Sequence, residues 1–441
     1  MSEVDRPVVA DAIRHAHAAF PAWRHLSGKG RGELLGKIAQ ALDRRREEIA
    51  RLITLENGKP LTQSQGEVLM AIDHLVWFAE EAKRAYGRII PQHAEDKRHL
   101  VLKTPVGVVG AISPWNFPLM LAVRKVAPAL AAGCPVILKP ASSTPLCVSV
   151  FAECVDAVGL PMGVFQVVAG RAEDIGQEFL DNELCRKISF TGSTDAGKKL
   201  VEGAAKQLKP LALELGGHAP VLIFEDADLN DAIEGTLMAK FRNNGQSCIA
   251  ANRIYVQRGL YESFLKIFVE RTRALKVGNG LEPDVQIGPL IDEAAVSKAL
   301  EHVQDAVRGG ARLLCGGNAV NRGGCFFEPT VLADVPKGAL CMYEETFAPV
   351  APVSVFDKEP EAIERANQSP YGLSAYAFTR DVGRVFRLAE SLDAGIIGIN
   401  DGLPTATHAP FGGVKQSGWG RELGSEGLDA FLETKHISIG I

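Results

Sequence analysis

One polar loop in the sequence places a cysteine where its thiol could act as a nucleophile. Asn243-Asn244-Gly245-Gln246-Ser247-Cys248 follows an apolar, helix-like segment, whereas the other seven cysteines lie in apolar or alternating contexts that are typical of packing. A nucleophilic thiol needs access and a lowered pKa, which a helix end or nearby cations supply. Cys248 is therefore the candidate nucleophile. From this segment alone, an incidental loop cysteine is the better-supported alternative.

Two further polar residues stand in apolar or rigid surroundings. Glu214 lies between leucines and precedes two glycines, a setting that would raise the pKa of its carboxyl group and suit a general base. Asn116 lies at the centre of Pro114-Trp115-Asn116-Phe117-Pro118, where its amide would be held rigidly enough to stabilise an oxyanion. Taken one at a time, these residues have simpler interpretations. Glu214 would be a buried glutamate with its hydrogen bonds satisfied, and the Asn116 segment would be an ordinary turn.

A glycine-containing turn at residues 190–199 could bind an anion. Gly192 would let backbone N–H groups approach a phosphate, and the N-terminus of the helix that follows favours negative charge. Gly192 to Lys198 nearly matches the nucleotide-binding Walker A loop, but Lys199 stands where a magnesium-binding hydroxyl is required. The sequence thus argues against a P-loop NTPase, and an ordinary tight turn explains the motif as well as a phosphate site does.

The overall composition is that of a globular protein. The chain has 441 residues, 46% hydrophobic and 23% charged, which predicts roughly three domains or two large ones. A net charge of −5 gives no indication of nucleic-acid binding. The sequence predicts neither a membrane-spanning segment nor a signal peptide. Eight cysteines without a C-x-x-C pair or zinc-type spacing predict a reduced, cytoplasmic protein with no metal site.

The elements that must position these residues alternate between strands and helices. The first hundred residues show helical spacing, which Gly58-Lys59-Pro60 ends. After them we expect strands at 106–113, 135–138, 164–168 and 187–190, separated by helices at 119–132, 144–157 and 172–180. A second α/β stretch begins near Gly216, with a strand at 220–224, a helix at 226–240 and strands at 253–256 and 395–400. This rhythm predicts two parallel α/β domains with a site in the cleft between them.

Taken together and in this order, these segments resemble the aldehyde dehydrogenase superfamily over residues 11–441. The motifs that carry the resemblance are Pro114–Pro118, Leu138–Pro140, Phe190–Thr194, Leu213–Gly217, Gly245–Cys248, Glu344–Pro349 and Pro410–Lys415. Within the superfamily the sequence is most similar to succinate semialdehyde dehydrogenases. The segments that support this narrower resemblance are Ala122–Lys125, Lys139–Ser142, Lys240–Asn243 and Ala251–Arg253.

The resemblance implies an α/β fold of the aldehyde dehydrogenase type, with a Rossmann-like domain, a catalytic domain and a small oligomerisation hairpin. The NAD(P)-binding domain would comprise 1–86 and 106–215, and the catalytic domain 216–417. Residues 87–105 and 425–441 would form oligomerisation elements, in which a C-terminal strand at 434–440 joins the hairpin and extends a partner's sheet in a homodimer or homotetramer. Compared with the family, about thirty residues of N-terminal strands are expected to be missing.

The resemblance also assigns catalytic roles. Cys248 would attack the aldehyde as a thiolate, and the oxyanion would lie between the Asn116 amide and the Cys248 backbone N–H. Glu214 would activate the water that releases the acid. Lys125 and Glu422 match positions linked to proton relay, although Lys125 without the family is better interpreted as a surface charge on a helix.

The cofactor implied is NADP or NAD. The residues that would bind it are Trp115, Lys139, Ser142, Gly170, Gly192, Ser193, Glu345 and Phe347. Lys139 would reach the adenosine ribose, Ser193 the pyrophosphate and Glu345 the nicotinamide ribose. Gly170 and Gly192 would let the cofactor lie against the backbone. Family members that prefer NAD often carry glutamate at the position of Ser142, so the serine removes a repulsion against a 2′-phosphate.

Arg124, Arg242 and Thr405 are the predicted substrate-binding residues. By resemblance the two arginines hold the substrate's carboxylate, a task that suits guanidinium groups, and the alternative is that they are surface charges on helices. Succinate semialdehyde is the first expectation, with glutarate semialdehyde or sulfolactaldehyde as alternatives. Ala250 replaces the second loop cysteine of many relatives, so their disulfide switch should be absent. His408 and the segment Gly420–Gly424 also depart from the family pattern around the aldehyde tunnel.

Overall fold

The computed structural model describes residues 3–320 and 323–441, and its helices alternate with strands for most of that length. The α-helices of these ranges are α1 (Arg6–His25), α2 (Gly28–Arg44), α3 (Arg46–Asn57), α4 (Leu61–Glu81), α5 (Pro118–Ala132), α6 (Leu146–Asp156), α7 (Ala172–Asp181), α8 (Thr194–Ala204), α9 (Leu229–Phe241), α10 (Arg258–Arg273), α11 (Glu293–Arg308), α12 (Glu359–Asn367), α13 (Val382–Ser391) and α14 (Gly424–Asp429). Gly58 adopts a left-handed φ of 91° and ends α3, where the sequence predicted a stop. None of the described helices is long and apolar enough to cross a lipid bilayer.

The strands form two large sheets and smaller ones. They are β1 (Arg88–Ile90), β2 (Lys97–Pro105), β3 (Val108–Ile112), β4 (Val136–Lys139), β5 (Phe165–Val167), β6 (Cys185–Thr191), β7 (Leu211–Glu214), β8 (Ala219–Ile223), β9 (Ala251–Gln257), β10 (Arg312–Cys315), β11 (Thr330–Ala333), β12 (Val350–Phe356), β13 (Tyr371–Gly372), β14 (Ser374–Phe378), β15 (Ile396–Ile399), β16 (Val414–Lys415), β17 (Gly418–Trp419) and β18 (Leu432–Gly440). The predicted alternation of strands and helices is confirmed.

The first large sheet has the strand order β17-β7-β6-β3-β4-β5. Its strands pair in parallel except at β17, which runs antiparallel to β7 and places Gly418 opposite Glu214. A side chain at Gly418 would clash with the carbonyl oxygen of Leu213, so glycine is required for this close approach. The sheet is apolar on both faces, because helices cover both of them.

The second large sheet has the order β10-β11-β12-β9-β8-β14-β15 and is parallel except for the β10–β11 pair. Separate apolar clusters pack against its two faces. The apolar clusters of the two sheets are therefore largely distinct, as expected for two α/β units. The domain boundaries inferred from the resemblance stay a prediction.

A small antiparallel sheet of order β1-β2-β18 stands apart from the two large ones. β18 pairs along the whole of β2, from Leu432 opposite Pro105 to Gly440 opposite Lys97. The C-terminal strand thus joins the 87–105 hairpin of its own chain, as expected. Apolar side chains such as Ile89, which is 80% exposed, lie on this sheet. The extension of a partner's sheet stays a prediction.

Candidate active site

Cys248 lies where two pockets meet. The first pocket is lined by Trp115, Asn116, Gly192, Ser193, Glu345 and Phe347, together with Cys248. The second is lined by Phe117, Arg124, Arg242, Thr405 and Phe411, again together with Cys248. Most of the residues predicted to contact the cofactor thus lie on one side of the thiol. All three residues predicted to contact the substrate lie on the other.

The loop that carries Cys248 is fixed by two asparagines in unusual backbone conformations. Asn243 and Asn244 have φ values of 53° and 58°, in the left-handed region that asparagine tolerates better than most residues. The side-chain amide of Asn243 donates to the carbonyl oxygen of Gln246 at 2.8 Å. The side chain of Asn244 bonds Pro289 and Gly288 at 2.9 and 2.7 Å. The segment after α9 is therefore held in a single shape that presents the thiol.

The thiol of Cys248 is held neutral in the resting site. Burial raises its pKa well above the ordinary value, and the charges of Glu214 and Glu345 add to that rise, while Arg124 opposes it. The sequence argument expected a lowered pKa, and for this site that expectation is wrong. Burial, together with the charges of Glu214 and Glu345, outweighs the nearby guanidinium, so the thiol needs a proton acceptor before it can attack.

Glu214 is the last residue of β7 and is 3% exposed. Neither of its carboxyl oxygens has a hydrogen-bond partner. Burial raises its pKa to about 8; the charge of Glu422 adds to the rise, and Arg124 and Lys125 act against it. The sequence predicted a raised pKa for this carboxyl group, and the structure agrees. A carboxylate with such a pKa is a competent general base near neutral pH.

Lys125 forms a buried ion pair next to Glu214. Its Nζ atom donates to Oε1 of Glu422 at 2.6 Å, and the lysine side chain is fully buried. Arg124 is also close, with 3.9 Å between its Nη1 and Oε2 of Glu422. The interpretation of Lys125 as a surface charge is wrong, because α5 is buried on every side. Its part in proton relay stays a prediction.

Asn116 follows β3 and is 5% exposed. Its side-chain Nδ2 donates to the carbonyl oxygen of Gln246 at 3.2 Å, which fixes the amide against the loop of Cys248. A primary amide carries two N–H donors, so one of them remains for an oxyanion in the pocket. The position and the free donor both suit the predicted role.

Arg124 and Arg242 are held by aromatic rings and sulfur rather than by carboxylates at short range. The guanidinium of Arg124 lies 4.4 Å from the ring centroid of Phe411, and that of Arg242 lies 5.2 Å from Phe117. Their closest side-chain acceptors are methionine sulfurs, at 3.8 Å from Arg124 and 3.6 Å from Arg242. Arg124 is 2% exposed, so it is no surface charge. Most of their donor capacity remains available for an anion.

Thr405 presents a buried hydroxyl without a hydrogen-bond partner to the same pocket. His408, which departs from the family pattern, is exposed and does not line this pocket. Its ring centroid lies 6.2 Å from that of Trp77. The neighbouring Thr407 bonds Asp73 on α4, which anchors the loop. Of the two polar side chains, Thr405 is the one placed to contact a substrate.

The first pocket has the chemistry that a dinucleotide requires. Trp115 and Phe347 meet edge to face, with ring centroids 5.5 Å apart. Ser193 caps α8, whose N-terminus favours a phosphate. Oε1 of Glu345 accepts from the backbone N–H of Gly217 at 3.0 Å, and burial raises the pKa of this carboxyl group to about 7. Apolar walls, a helix N-terminus and a fixed carboxyl group together fit a nicotinamide dinucleotide.

The other three predicted cofactor residues lie outside the lining of this pocket. Lys139 is the last residue of β4, and burial lowers its pKa. Ser142 is exposed in the turn that follows. At Gly170, a Cβ atom would lie 2.7 Å from the backbone oxygen of Val4, so the closest approach here is to the chain's own N-terminal segment. Cofactor contacts at these three positions stay predictions.

Sequence reasoning missed several residues that support the site. Asn57 and Lys59, at the junction of α3 and α4, both donate to the backbone of Asn116. The Asn57-Gly58-Lys59-Pro60 segment was interpreted only as a helix end. No local periodicity indicates that a lysine there is buried beside a distant turn.

Comparison with known proteins agrees with the aldehyde dehydrogenase resemblance and with the geometry of the site. Residues 1–437 match the family model described as "Aldehyde dehydrogenase family". The chain belongs to this family.

Two curated relatives are similar over nearly the whole chain. The succinate-semialdehyde dehydrogenase [NADP(+)] GabD of Escherichia coli is 50% identical, with 98% of this chain and 89% of that protein covered. A glutarate-semialdehyde dehydrogenase of Pseudomonas aeruginosa is 49% identical, with 97% and 89% covered. The solved structure of an E. coli NADP-dependent enzyme has a TM-score of 0.99 at 48% identity and covers 100% of this chain and 92% of that one. The fold inferred from the resemblance is confirmed.

Proposed function

We propose that the protein oxidises a small anionic aldehyde to the carboxylic acid, with succinate semialdehyde as the preferred substrate and NADP or NAD as the hydride acceptor. The observation that carries this proposal is the position of Cys248 between a dinucleotide-type pocket and a pocket lined by Arg124, which is buried, and Arg242, which is partly buried. A nucleophile in that position can hold an aldehyde carbon between the hydride acceptor and the guanidinium groups of Arg124 and Arg242. We call these two arginines the anion clamp.

The chain's own residues supply the covalent chemistry. The carboxylate of Glu214 accepts the proton of the Cys248 thiol, and the thiolate attacks the aldehyde carbon. The second N–H of the Asn116 amide and the backbone N–H of Cys248 bind the oxyanion. A nicotinamide cofactor held in the first pocket would supply the acceptor for the hydride that leaves that carbon. Glu214 loses the thiol's proton to solvent and then removes a proton from water, which attacks the resulting thioester; the acid leaves, and Glu214 returns the second proton to the Cys248 thiolate.

The substrate class follows from the second pocket. Two guanidinium groups with unused donors, together with the Thr405 hydroxyl, suit a carboxylate at the far end of a short aldehyde. The relative from Escherichia coli supports succinate semialdehyde, and the relative from Pseudomonas aeruginosa supports glutarate semialdehyde as the second candidate. Sulfolactaldehyde is a third anionic aldehyde that the clamp could accept.

The cofactor preference rests on Ser142. Its exposed position in the turn after β4 presents no negative charge to a 2′-phosphate. The name of the Escherichia coli relative includes NADP(+), which agrees with this argument. We propose that NADP is used at least as well as NAD.

Assembly and compartment are proposed on different grounds. The small β1-β2-β18 sheet exposes apolar side chains that a second copy of the chain would cover, as in a homodimer or homotetramer. All eight cysteines are unpaired, which suits the reducing cytoplasm.

Steady-state kinetics with paired substrates test the anion clamp. Arg124→Ala and Arg242→Ala should each raise KM for succinate semialdehyde about tenfold to a hundredfold, because charge-assisted hydrogen bonds are lost. KM for an uncharged aldehyde of equal length should change far less. Arg253→Ala is the matched control, since this buried arginine bonds the backbone oxygens of His218, Arg365 and Ala366 and lies outside the pocket. Equal changes in KM for both substrates would refute the clamp.

A further inference from the structure

A buried ion pair lies beneath the turn that carries Asn116. The Nζ atom of Lys59 lies 2.6 Å from Oε2 of Glu67, and both side chains have no exposed surface. The ammonium also lies 4.0 Å from the ring centroid of Phe117. Transferring both charges out of water costs more than such a pair usually returns in stability, and apolar residues of similar size would serve packing as well. Stabilisation of the fold therefore does not explain why Lys59 and Glu67 form an ion pair here.

Both partners of this pair are bonded to the residues that surround Asn116. Lys59 Nζ donates to the backbone oxygen of Asn116 at 2.6 Å. Oε1 of Glu67 accepts from the backbone N–H groups of Leu119 and Met120 at 3.0 and 3.2 Å. One ion pair thus fixes the chain from residue 116 to residue 120, which includes the first turn of α5.

The carbonyl oxygen of Asn116 is held by three donors from two segments of the chain. Besides Lys59, Asn243 Nδ2 donates to it at 2.9 Å and Asn57 Nδ2 at 3.4 Å. Asn243 belongs to the loop of Cys248, so the same oxygen ties the oxyanion donor to the nucleophile. Of the three donors only Lys59 is charged, and its bond is the shortest.

We propose that Lys59 is a positioning residue that fixes the side-chain amide of Asn116 for the oxyanion formed at Cys248. This inference rests on the proposed function. The ammonium holds the Asn116 peptide, and the peptide in turn fixes the direction of the side-chain amide. An oxyanion donor is effective only if it is already aligned when charge develops, so a loosened peptide lowers kcat more than it weakens binding.

The double variant Lys59→Met with Glu67→Gln tests the inference without leaving a charge buried alone. The amide introduced in place of the Glu67 carboxylate keeps an oxygen for the N–H groups of Leu119 and Met120. We expect kcat to fall about tenfold or more, within the range for lost oxyanion donors, while KM changes by less than about threefold. Alkylation of Cys248 by iodoacetamide needs no oxyanion donor, and its rate should stay within about twofold.

A double-mutant cycle with Asn116→Ala separates positioning from general damage. If Lys59 acts through Asn116, the Lys59/Glu67 variant should lose no further kcat in the Asn116→Ala background. An equal loss in both backgrounds, or an unchanged kcat in the Asn116 background, would overturn the inference. A wild-type protein that oxidises no aldehyde would instead refute the proposed function itself.

Two further variants guard against a folding defect. Lys209→Met removes another buried lysine, which bonds only the carbonyl oxygens of Phe179, Leu180 and Asn182, so it should lower the melting temperature and leave kcat unchanged. Asn57→Ala removes a neutral donor to the backbone oxygens of Trp115 and Asn116, at 3.1 and 3.4 Å. It should give a smaller loss of kcat, and the part that acts through Asn116 should disappear in the Asn116→Ala background. A kcat loss of equal size in Lys209→Met would mean that the effect of Lys59 is structural.

Discussion

The carboxyl group of Glu214 links the activity of the site to the stability of the fold. It is buried without a hydrogen-bond partner, and its pKa is raised from an ordinary value of 4.5 to about 8. The folded protein therefore holds this proton more tightly than the unfolded chain does. The stabilisation is complete below pH 4.5 and is lost as the pH rises towards 8, because ionisation is then more favourable in the unfolded chain. Glu214→Gln, which cannot ionise, should escape that loss.

The size of the effect follows from the two pKa values. The difference between 4.5 and about 8 corresponds to about 5 kcal/mol once the pH exceeds 8. At pH 7 the wild-type protein should already have lost about 3 kcal/mol. Glu214→Gln should therefore match the wild type at pH 4.5 and be the more stable protein at pH 7 and 9.

Urea unfolding at pH 5, 7 and 9 measures this difference, with Glu183→Gln as a control that removes an exposed carboxyl group. The free energy of unfolding should rise in the Glu214 variant by an amount that grows with pH, whereas the control should stay within about 0.5 kcal/mol. A Glu214→Gln protein that is no more stable than the wild type at pH 9 would refute the raised pKa.

The same ionisation should appear in the rate. With a pKa of about 8, the carboxylate form of Glu214 makes up about a tenth of the protein at pH 7 and about nine-tenths at pH 9. If Glu214 must be ionised to act as the base, kcat/KM should rise about tenfold for each pH unit below pH 8 and level off above pH 8. In Glu214→Gln both the thiol and the attacking water lose their base, so single-turnover kinetics should show slow formation of reduced cofactor as well as slow release of acid.

The remaining predictions concern three other positions. Glu422→Gln removes a negative charge that raises the pKa of Glu214, so the pH–rate profile should move to lower pH; an unchanged profile would show that burial alone sets the pKa. Ser142→Glu should raise Kd for NADP relative to NAD by about tenfold or more, measured by fluorescence titration, because a carboxylate repels the 2′-phosphate. Cys248→Ala should abolish NAD(P)H formation while cofactor binding persists, and retained turnover would exclude the thiol as nucleophile.

Local sequence patterns predicted the fold well and the site in part. The strands of the two large sheets are short apolar runs separated by helices of regular length, and such patterns are visible without tertiary information. Cys248, Glu214 and Asn116 attracted attention as single polar residues in apolar or rigid surroundings. Only the family resemblance joined these residues, because their spacing along the chain says nothing about which loops meet in space.

The failures of prediction have tertiary causes. Arg124 and Lys125 could be taken for surface charges because helical periodicity assumes an exposed face, whereas α5 is buried from Pro118 to Ala132. The pKa of the Cys248 thiol depends on carboxyl groups 34 residues before it and 97 after it, since these are Glu214 and Glu345. Lys59 was missed for the same reason, as its partner Asn116 belongs to a different turn.

Besides its proposed role in binding the substrate, Arg124 affects the ionisation of the groups around Cys248. Its guanidinium lowers the pKa of both the Cys248 thiol and the Glu214 carboxyl group. In the proposed complex, the carboxylate of the substrate would neutralise part of that charge. The pKa of Glu214 would then rise further, and the carboxylate form would become a stronger base when an anionic aldehyde is bound. In the proposed complex, the arginine that binds the far end of the substrate thus also controls the base at the reacting end, because the charge of Arg124 acts on Glu214.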